Sequence, residues 1–283
     1  MTESPIGVFD SGIGGLSVLQ ALQAELPHEH FVYWADSGHA PYGEKGDLFV
    51  RQRSLAIAQH LIDRHHIKAL VVACNTATAA AIHTLRAQHP HLPLIGVEPA
   101  LKPAIALSQT KRIGVIGTRG TLSSEKFHRL LASLQDQADF VVQPCNGLAL
   151  AIEQNTHAAS ATHDADQVSA LLRNYTGQMG RFGKTPGEMD TLVLGCTHYV
   201  FAEDALRKWL GPDVQLVSTG EPVARQTRRL LEASGQLRSG PAPHAGSERM
   251  RLMTNGDLGA LQAAAHRWLR LPHSVCHESD PQV

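Results

Sequence analysis

Two stretches of the 283-residue chain end an apolar run on a cysteine and follow it with short polar residues. The first is Ala69-Leu-Val-Val-Ala-Cys74-Asn-Thr-Ala-Thr-Ala-Ala-Ala-Ile82, and the second is Thr191-Leu-Val-Leu-Gly-Cys196-Thr-His198. With a reference pKa of about 8.5, a cysteine can serve near neutral pH as an acid in one form and a base in the other. Two of them serving opposite faces of one stereocentre could take a proton from one side and deliver one to the other. That is two-base racemisation or epimerisation, and it needs mirror-related acid/base groups more than any cofactor. Asp10 at a strand end, His198 two residues past Cys196, and Glu153 are candidates for tuning the thiols. Ser11, Asn75, Thr76, Thr118, Thr121 and Thr197 are short hydroxyl or amide residues at helix starts, where backbone N–H groups also point outward. Such positions suit carboxylates, and an α-amino dicarboxylate would need two of them. Cys145 and Cys276 lack this setting and read as small buried hydrophobes.

The elements that must position these groups follow from periodicity. Apolar runs at Ile6–Asp10, Phe31–Asp36, Ala69–Ala73, Leu94–Val97, Ile113–Gly117, Phe140–Cys145 and Thr191–Gly195 read as buried strands. Helical patterns run between them, from Leu16 to Leu26, from Asp47 to His66 with Leu48, Leu55, Ala58 and Ile62 inward, behind Cys74, and from His163 to Arg181. A short helical piece is expected at 146–154, a Pro-punctuated crossing at Glu98–Pro103, and a further helix at Ala202–Leu210. The tail adds strands at 214–218 and 250–254 and helices at about 221–233 and 257–269, with a Gly/Pro/Ser-rich surface loop at 239–247. Strand–helix alternation predicts an α/β fold of doubly wound parallel sheets. A thiol at a strand's C-terminal end lies where such sheets bind ligands, and the helix dipole behind Cys74 favours thiolate there.

The openings Ile6-Gly-Val-Phe-Asp-Ser and Ile113-Gly-Val-Ile-Gly-Thr, each followed by a cysteine-ended strand, form a weak internal duplication. The fold expected is therefore two pseudo-symmetric domains facing a central cleft, with residues 1–97 plus 213–283 in the first and 98–212 in the second.

Composition bounds the rest. Hydrophobic residues at 43 %, charged residues at 18 % and a net charge of −1 describe an ordinary globular chain with no basic excess for nucleic acid. No secretory leader and no apolar run of about 20 residues is seen, so neither export nor a membrane span is expected. The four cysteines form no CxxC pair and the 17 histidines are scattered, which argues against a disulfide framework or a metal site and for reduced thiols in a cytoplasmic protein.

Several motifs together resemble a known family. They are Gly7-Val-Phe-Asp-Ser-Gly-Ile-Gly-Gly-Leu-Ser17, Asp36-Ser with Pro41-Tyr-Gly-Glu-Lys45, Ala73-Cys-Asn-Thr76, Thr118-Arg-Gly-Thr121 and Gly195-Cys-Thr-His-Tyr199. In order and approximate spacing this set resembles the cofactor-independent glutamate racemases of the aspartate/glutamate racemase superfamily. The resemblance implies that Cys74 and Cys196 are the proton donor/acceptors, with Asp10, Glu153 and His198 as auxiliary groups. It adds Tyr42 and Gly43 to Asp10, Ser11, Asn75, Thr76, Thr118, Thr121, Thr197 and His198 as substrate contacts. It further implies a homodimer that needs no cofactor and supplies D-glutamate for peptidoglycan. His39 and Val200 depart from the family pattern, and activation by a cell-wall precursor is not expected, since an N-terminal extension of the activated members is not seen.

Other readings stay open at this stage. Aspartate and hydantoin racemases use the same two-thiol chemistry. A nucleotide-binding dehydrogenase fits Gly12-Ile-Gly-Gly15 and the Asp36 strand end, but Ser17 replaces the third glycine and Asp10 would face the pyrophosphate. A two-lobe amino-acid-binding protein would have no need of paired thiols.

Overall fold

A computed structural model of the chain describes residues 2–156, 163–239 and 249–279. The chain opens with β1 (Ile6–Asp10), α1 (Leu16–Glu25), β2 (Phe31–Ala35), α2 (Asp47–His65), β3 (Ala69–Val72), α3 (Asn75–Gln88) and β4 (Leu94–Gly96). Helix α4 (Leu101–Leu107) follows, then β5 (Arg112–Gly117), α5 (Arg119–Leu122), α6 (Glu125–Ala132), β6 (Asp139–Pro144), α7 (Leu148–Asn155), α8 (His163–Met179) and β7 (Thr191–Gly195). A short 3-10 helix at Thr197–Ala202 leads into α9 (Glu203–Leu210) and β8 (Gln215–Val217), and the chain continues through α10 (Gly220–Ala233), β9 (Met250–Thr254), α11 (Leu258–Leu269) and β10 (Cys276–Glu278).

The strands form two parallel sheets, a six-stranded one in the order β10-β9-β2-β1-β3-β4 and a four-stranded one in the order β6-β5-β7-β8. Alternate residues of each central strand face opposite layers. Ile6 and Val8 enter one core and Phe9 the other, while Ile113 and Val115 face away from Ile116. With both faces covered, the strands read as unbroken apolar runs. Each fully buried Leu, Val or Phe contributes about 1.5–3 kcal/mol relative to exposure, which makes the sheets rigid floors.

The two sheets share one winding. In the first, the chain leaves β1 for β2 on one side and comes back to β3 on the other; in the second, β5 is flanked in the same way by β6 and β7. The crevice where the winding reverses is the ligand edge of an open α/β sheet. The register then decides what stands there. Phe9 pairs with Val72 and Gly117 with Gly195, so Ser11 lies beside Cys74 and Thr118 beside Cys196 in equivalent places.

Several expectations are corrected. The boundary expected at residue 213 would assign strand Gln215–Val217 to the first domain, but it bonds to β7 in the four-stranded sheet; β9 and β10 are the tail strands that join the six-stranded one. Strand β10 and α4 come without a clear periodic signal in the sequence, whereas the unanticipated α6 carries Phe127, Leu130 and Leu131 at helical spacing toward the core. On α2 the buried stripe is Val50, Ser54, Ile57, Ala58 and Leu61, whereas Leu48 is 66 % exposed because the first turn stands clear of the sheet. Helix α11 packs on α1, β9 and β10, and its Trp268 stacks on Phe201. Most of the expected loop at 239–247 lies outside the described residues.

Candidate active site

Cys74 caps the N-terminus of α3 with extended backbone, and the Ala77 N–H donates to its sulfur at 3.4 Å. Its thiol in turn faces the Ser11 hydroxyl at 3.6 Å. Behind Ser11 lies Asp10, fully buried, which accepts from the Ser11 backbone N–H at 2.7 Å and from the Thr197 hydroxyl at 3.1 Å. Burial raises the Asp10 carboxyl, against the opposing pull of His198 and the Ser11 N–H. Burial, and then the negative Asp10, push the Cys74 thiol far above its ordinary value. The thiolate expected from the helix dipole is therefore corrected: a dipole worth about 0.3–1 kcal/mol does not offset the desolvation of a sulfur only 5 % exposed.

Cys196 has a different neighbourhood. Its sulfur lies 3.8 Å from Nδ1 of His198, whose Nε2 is 2.5 Å from Oε2 of Glu153. Glu153, on α7, also accepts from the Ile13 backbone N–H at 3.1 Å and from the Ser37 hydroxyl at 3.0 Å. Burial would raise the Glu153 carboxyl, but the His198 bond and charge and the Ile13 and Ser37 donors hold it below its ordinary value. For His198, burial opposes the charge, yet the contacts to Cys196 and Glu153 raise it well above the ordinary imidazole range. An imidazolium follows from the network, with Nε2–H donating to Glu153 and Nδ1–H aimed at the Cys196 sulfur.

These contacts join the ends of both sheets. Thr197 reaches Asp10, Glu153 reaches Ile13, and the Ser17 hydroxyl donates to the Thr197 carbonyl at 3.2 Å. The Thr76 hydroxyl on α3 meets Thr118 at 3.0 Å and Thr121 at 3.3 Å on α5. Asn75 is buried and neither of its amide atoms finds a partner among the described residues. An unpaired buried amide costs about 1–3 kcal/mol, so it is tolerated where a ligand completes it. Cys196 also adds to the charge that raises Cys74, which places both thiols in one electrostatic cluster. Every sequence-identified site residue therefore lies at this seam, Asp10, Ser11, Asn75 and Thr76 on one side and Thr118, Thr121, Glu153, Thr197 and His198 on the other. Tyr42 differs: its hydroxyl donates to Asp36 at 2.5 Å, and the following Gly43 packs closely against Thr118.

The turn after β1 is shaped by the same closeness. A Cβ at Gly14 would stand 2.3 Å from Nδ1 of His198 and 2.6 Å from the Thr197 hydroxyl. His198 cannot retreat without losing Glu153, so Gly14→Ala is expected to cost about 1–3 kcal/mol as overpacking and to lower the thermal midpoint by several degrees. An unchanged midpoint in differential scanning calorimetry would contradict this tight packing.

Two further groups lie next to the site, and Cys145 is the small buried residue expected from the sequence. Cys145 is close enough to Cys196 for the two to interact electrostatically, and its thiol is pushed up to about 12, chiefly by burial. Asp36, in the sequence a strand end and part of a motif with no assigned site role, gathers donors from several elements. No group of three or more His, Cys, Asp or Glu able to hold a metal ion occurs among the described residues.

Known proteins resemble this chain in sequence and in fold. Residues 6–227 match the Asp/Glu/hydantoin racemase family. A glutamate racemase of Methylococcus capsulatus is 48 % identical over 241 residues, covering 85 % of this chain and 84 % of its own. One from Ralstonia pickettii is 47 % identical over 262 residues, covering 92 % and 86 %. Among solved structures, the glutamate racemase isoform RacE1 of Bacillus anthracis superposes with a TM-score of 0.83 at 31 % identity, covering 100 % of both chains. The Escherichia coli glutamate racemase, solved with L-glutamate and the activator UDP-MurNAc-ala, superposes with a TM-score of 0.78 at 30 % identity over 97 % of each chain. With a family match over more than half its length and relatives near one-half identity, the chain belongs to the Asp/Glu/hydantoin racemase family.

Proposed function

We propose that this chain is a glutamate racemase that interconverts L- and D-glutamate through Cys74 and Cys196, one thiol for each face of the α-carbon. The observation that carries the reading is the equivalence of the two cysteines. Each follows a central strand at the winding reversal of its own sheet, beside a hydroxyl residue, and each has a separate set of tuning groups. Relatives at 43–48 % identity named glutamate racemase support glutamate over aspartate as the substrate.

In the proposed reaction one sulfur, as thiolate, takes the α-proton of the bound enantiomer. The other, as thiol, gives its proton to the opposite face of the resulting carbanion, and the C–H bond is remade with inversion. Turnover leaves the two sulfurs with exchanged protonation, ready for the other enantiomer. Burial and the Asp10 carboxylate hold the Cys74 thiol protonated until its partner has acted, and the Ser11 hydrogen bond eases its release. The His198 imidazolium, backed by Glu153, stabilises charge on the Cys196 sulfur as it develops. Asn75, Thr76, Thr118, Thr121 and Thr197 hold the carboxylates, and the Tyr42–Gly43 turn closes the rim against water. Both proton transfers belong to side chains of the chain itself, so the proposal includes no cofactor.

The same reading makes the protein a cytoplasmic homodimer that supplies D-glutamate for peptidoglycan and so for cell shape. Four free cysteines fit a reducing compartment and the relatives named glutamate racemase fit the supply of D-glutamate; no described helix is long and apolar enough to cross a membrane. The test is to incubate purified protein with L-glutamate, D-glutamate or L-aspartate in deuterated buffer and to follow optical rotation and α-deuterium. Loss of rotation with deuterium uptake on both glutamates and not on aspartate is expected. Inversion of aspartate alone would transfer the chain to a sister activity, and silence on all three would end the racemase reading.

A further inference from the structure

Asp36 is the most heavily bonded carboxylate near the site and touches none of the proposed reacting atoms. It is completely buried at the end of β2, and its own N–H donates to the Asp10 carbonyl at 2.9 Å. Arg53 of α2 donates to it from Nη2 at 2.6 Å and from Nε at 3.1 Å, the two-pronged pairing that fixes a carboxylate in plane. Nδ2 of Asn255, just past β9, donates at 2.5 Å. The orientation of that amide is set at its other end, where Oδ1 accepts from the Gly38 N–H at 3.0 Å. His39 Nδ1 stands 3.2 Å away, and the Tyr42 hydroxyl completes the set at 2.5 Å.

The consequence runs along the chain from Tyr42. Its ring is buried and its hydroxyl is taken by Asp36, so the next residue, Gly43, has little freedom. A Cβ on Gly43 would lie 2.5 Å from the Thr118 Cβ, and Thr118 is the hydroxyl shared with Thr76 and Thr121. The rim of the site is thus located by a carboxylate whose own position is set by an arginine from one helix and an asparagine from the far end of the chain. Asn255 lies beyond residues 6–227, the span of the family match.

We propose that Arg53 and Asn255 are positioning residues for the racemisation site, clamping Asp36 so that it holds the Tyr42 hydroxyl and sets the Tyr42–Gly43 turn against Thr118. This rests on the glutamate-racemase reading of the same seam. The pair acts on substrate binding more than on proton transfer, because the turn contributes backbone at the rim and not a group that exchanges protons. A pH signature follows as well. Burial opposes the Asp36 charge, and the Arg53 and Tyr42 hydrogen bonds with the Arg53 and His39 charges hold the carboxyl below its ordinary value. Asn255 faces it as a neutral donor. Without the guanidinium the burial effect is less opposed, and the carboxyl rises.

The experiment compares wild type, Arg53→Gln, Arg53→Lys and Asn255→Ala for KM and kcat in both directions, for calorimetric binding of D-glutamate, and for thermal midpoint. Arg53→Gln is expected to raise KM about tenfold, the size of one lost charge-assisted hydrogen bond, while kcat stays within about threefold. As pH is lowered its KM should begin to climb at a higher pH than that of wild type, and Arg53→Lys should recover most of the loss. Asn255→Ala should raise KM in the same sense by less, and it carries the test if Arg53→Gln does not fold. Wild-type KM in the folded variants, or a loss that tracks the thermal midpoint with no such shift in the pH dependence of KM and no recovery by lysine, would overturn the proposal. Absence of glutamate turnover in wild type would instead strike the underlying reading, and the two failures are told apart by that first measurement.

Discussion

Cys74→Ser and Cys196→Ser should each lower glutamate racemisation by about 10²–10⁴-fold, the range over which a positioned acid or base acts. A serine hydroxyl keeps the size and the hydrogen bond to its neighbours but is far too weak an acid to serve as thiolate at neutral pH. The informative readout is α-deuterium in deuterated buffer, because the two variants should fail in opposite ways. Where one thiol remains, it can still remove the proton from the enantiomer it faces and return a solvent deuteron to the same side, giving exchange with retention. The other enantiomer has lost its base and should not exchange. Each serine variant should therefore label one enantiomer, and the two variants opposite ones. Circular dichroism establishes that the variants are folded. Exchange of both enantiomers by a single-cysteine variant would sink the one-thiol-per-face mechanism.

Much of this site is legible in the sequence for a physical reason. A parallel strand covered on both faces must be an unbroken apolar run, so a polar or reactive residue that ends it lies at the sheet's ligand edge, as Cys74, Cys196 and Asp10 do. The helix starts that follow, such as Asn75–Thr76 and Thr118–Thr121, are readable from capping chemistry. What local pattern does not encode is pairing across the chain. Arg53 and Asn255 meet Asp36 from separations of 17 and 219 residues, and neither stands in a motif with it. Which sheet accepts β8 is settled by its bonds to Thr191–Val193, and three residues carry too little periodicity to announce it. On α2 the expected Ala58 is buried and Leu55 and Ile62 pack against the core, while Leu48 is exposed, because helical spacing does not tell where along the helix the sheet's cover ends. The Cys74 thiolate failed on magnitude: the dipole was visible in the sequence and the burial that outweighs it was not.

The His198–Glu153 pair yields the second large effect, and its sign is set by both partners. His198 is raised well above its ordinary 6.5, so the stability it contributes is complete below about that pH and is lost as pH rises through the folded value. Glu153 is held below its ordinary 4.5, so its contribution is complete above that pH and is lost as pH falls through its lowered folded value. The pair is therefore at full strength between those two ordinary values. Glu153→Gln keeps an acceptor for Ile13 and Ser37 but strips the counter-charge from a buried imidazolium, a change worth about 3–5 kcal/mol when the ring stays charged. The stability difference between wild type and variant, from urea titrations across pH, should be largest between about pH 4.5 and 6.5 and shrink above it. In the variant, burial pulls the ring toward its neutral form, opposed by the Cys196 contact and the Asp10 charge but no longer by Glu153. The alkaline limb of kcat/KM should then move to lower pH, and activity near neutrality should fall roughly 10–100-fold as the donor to the Cys196 sulfur is lost. A stability difference that grows as pH rises above 6.5 would mean that His198 is not held as an imidazolium in the folded protein.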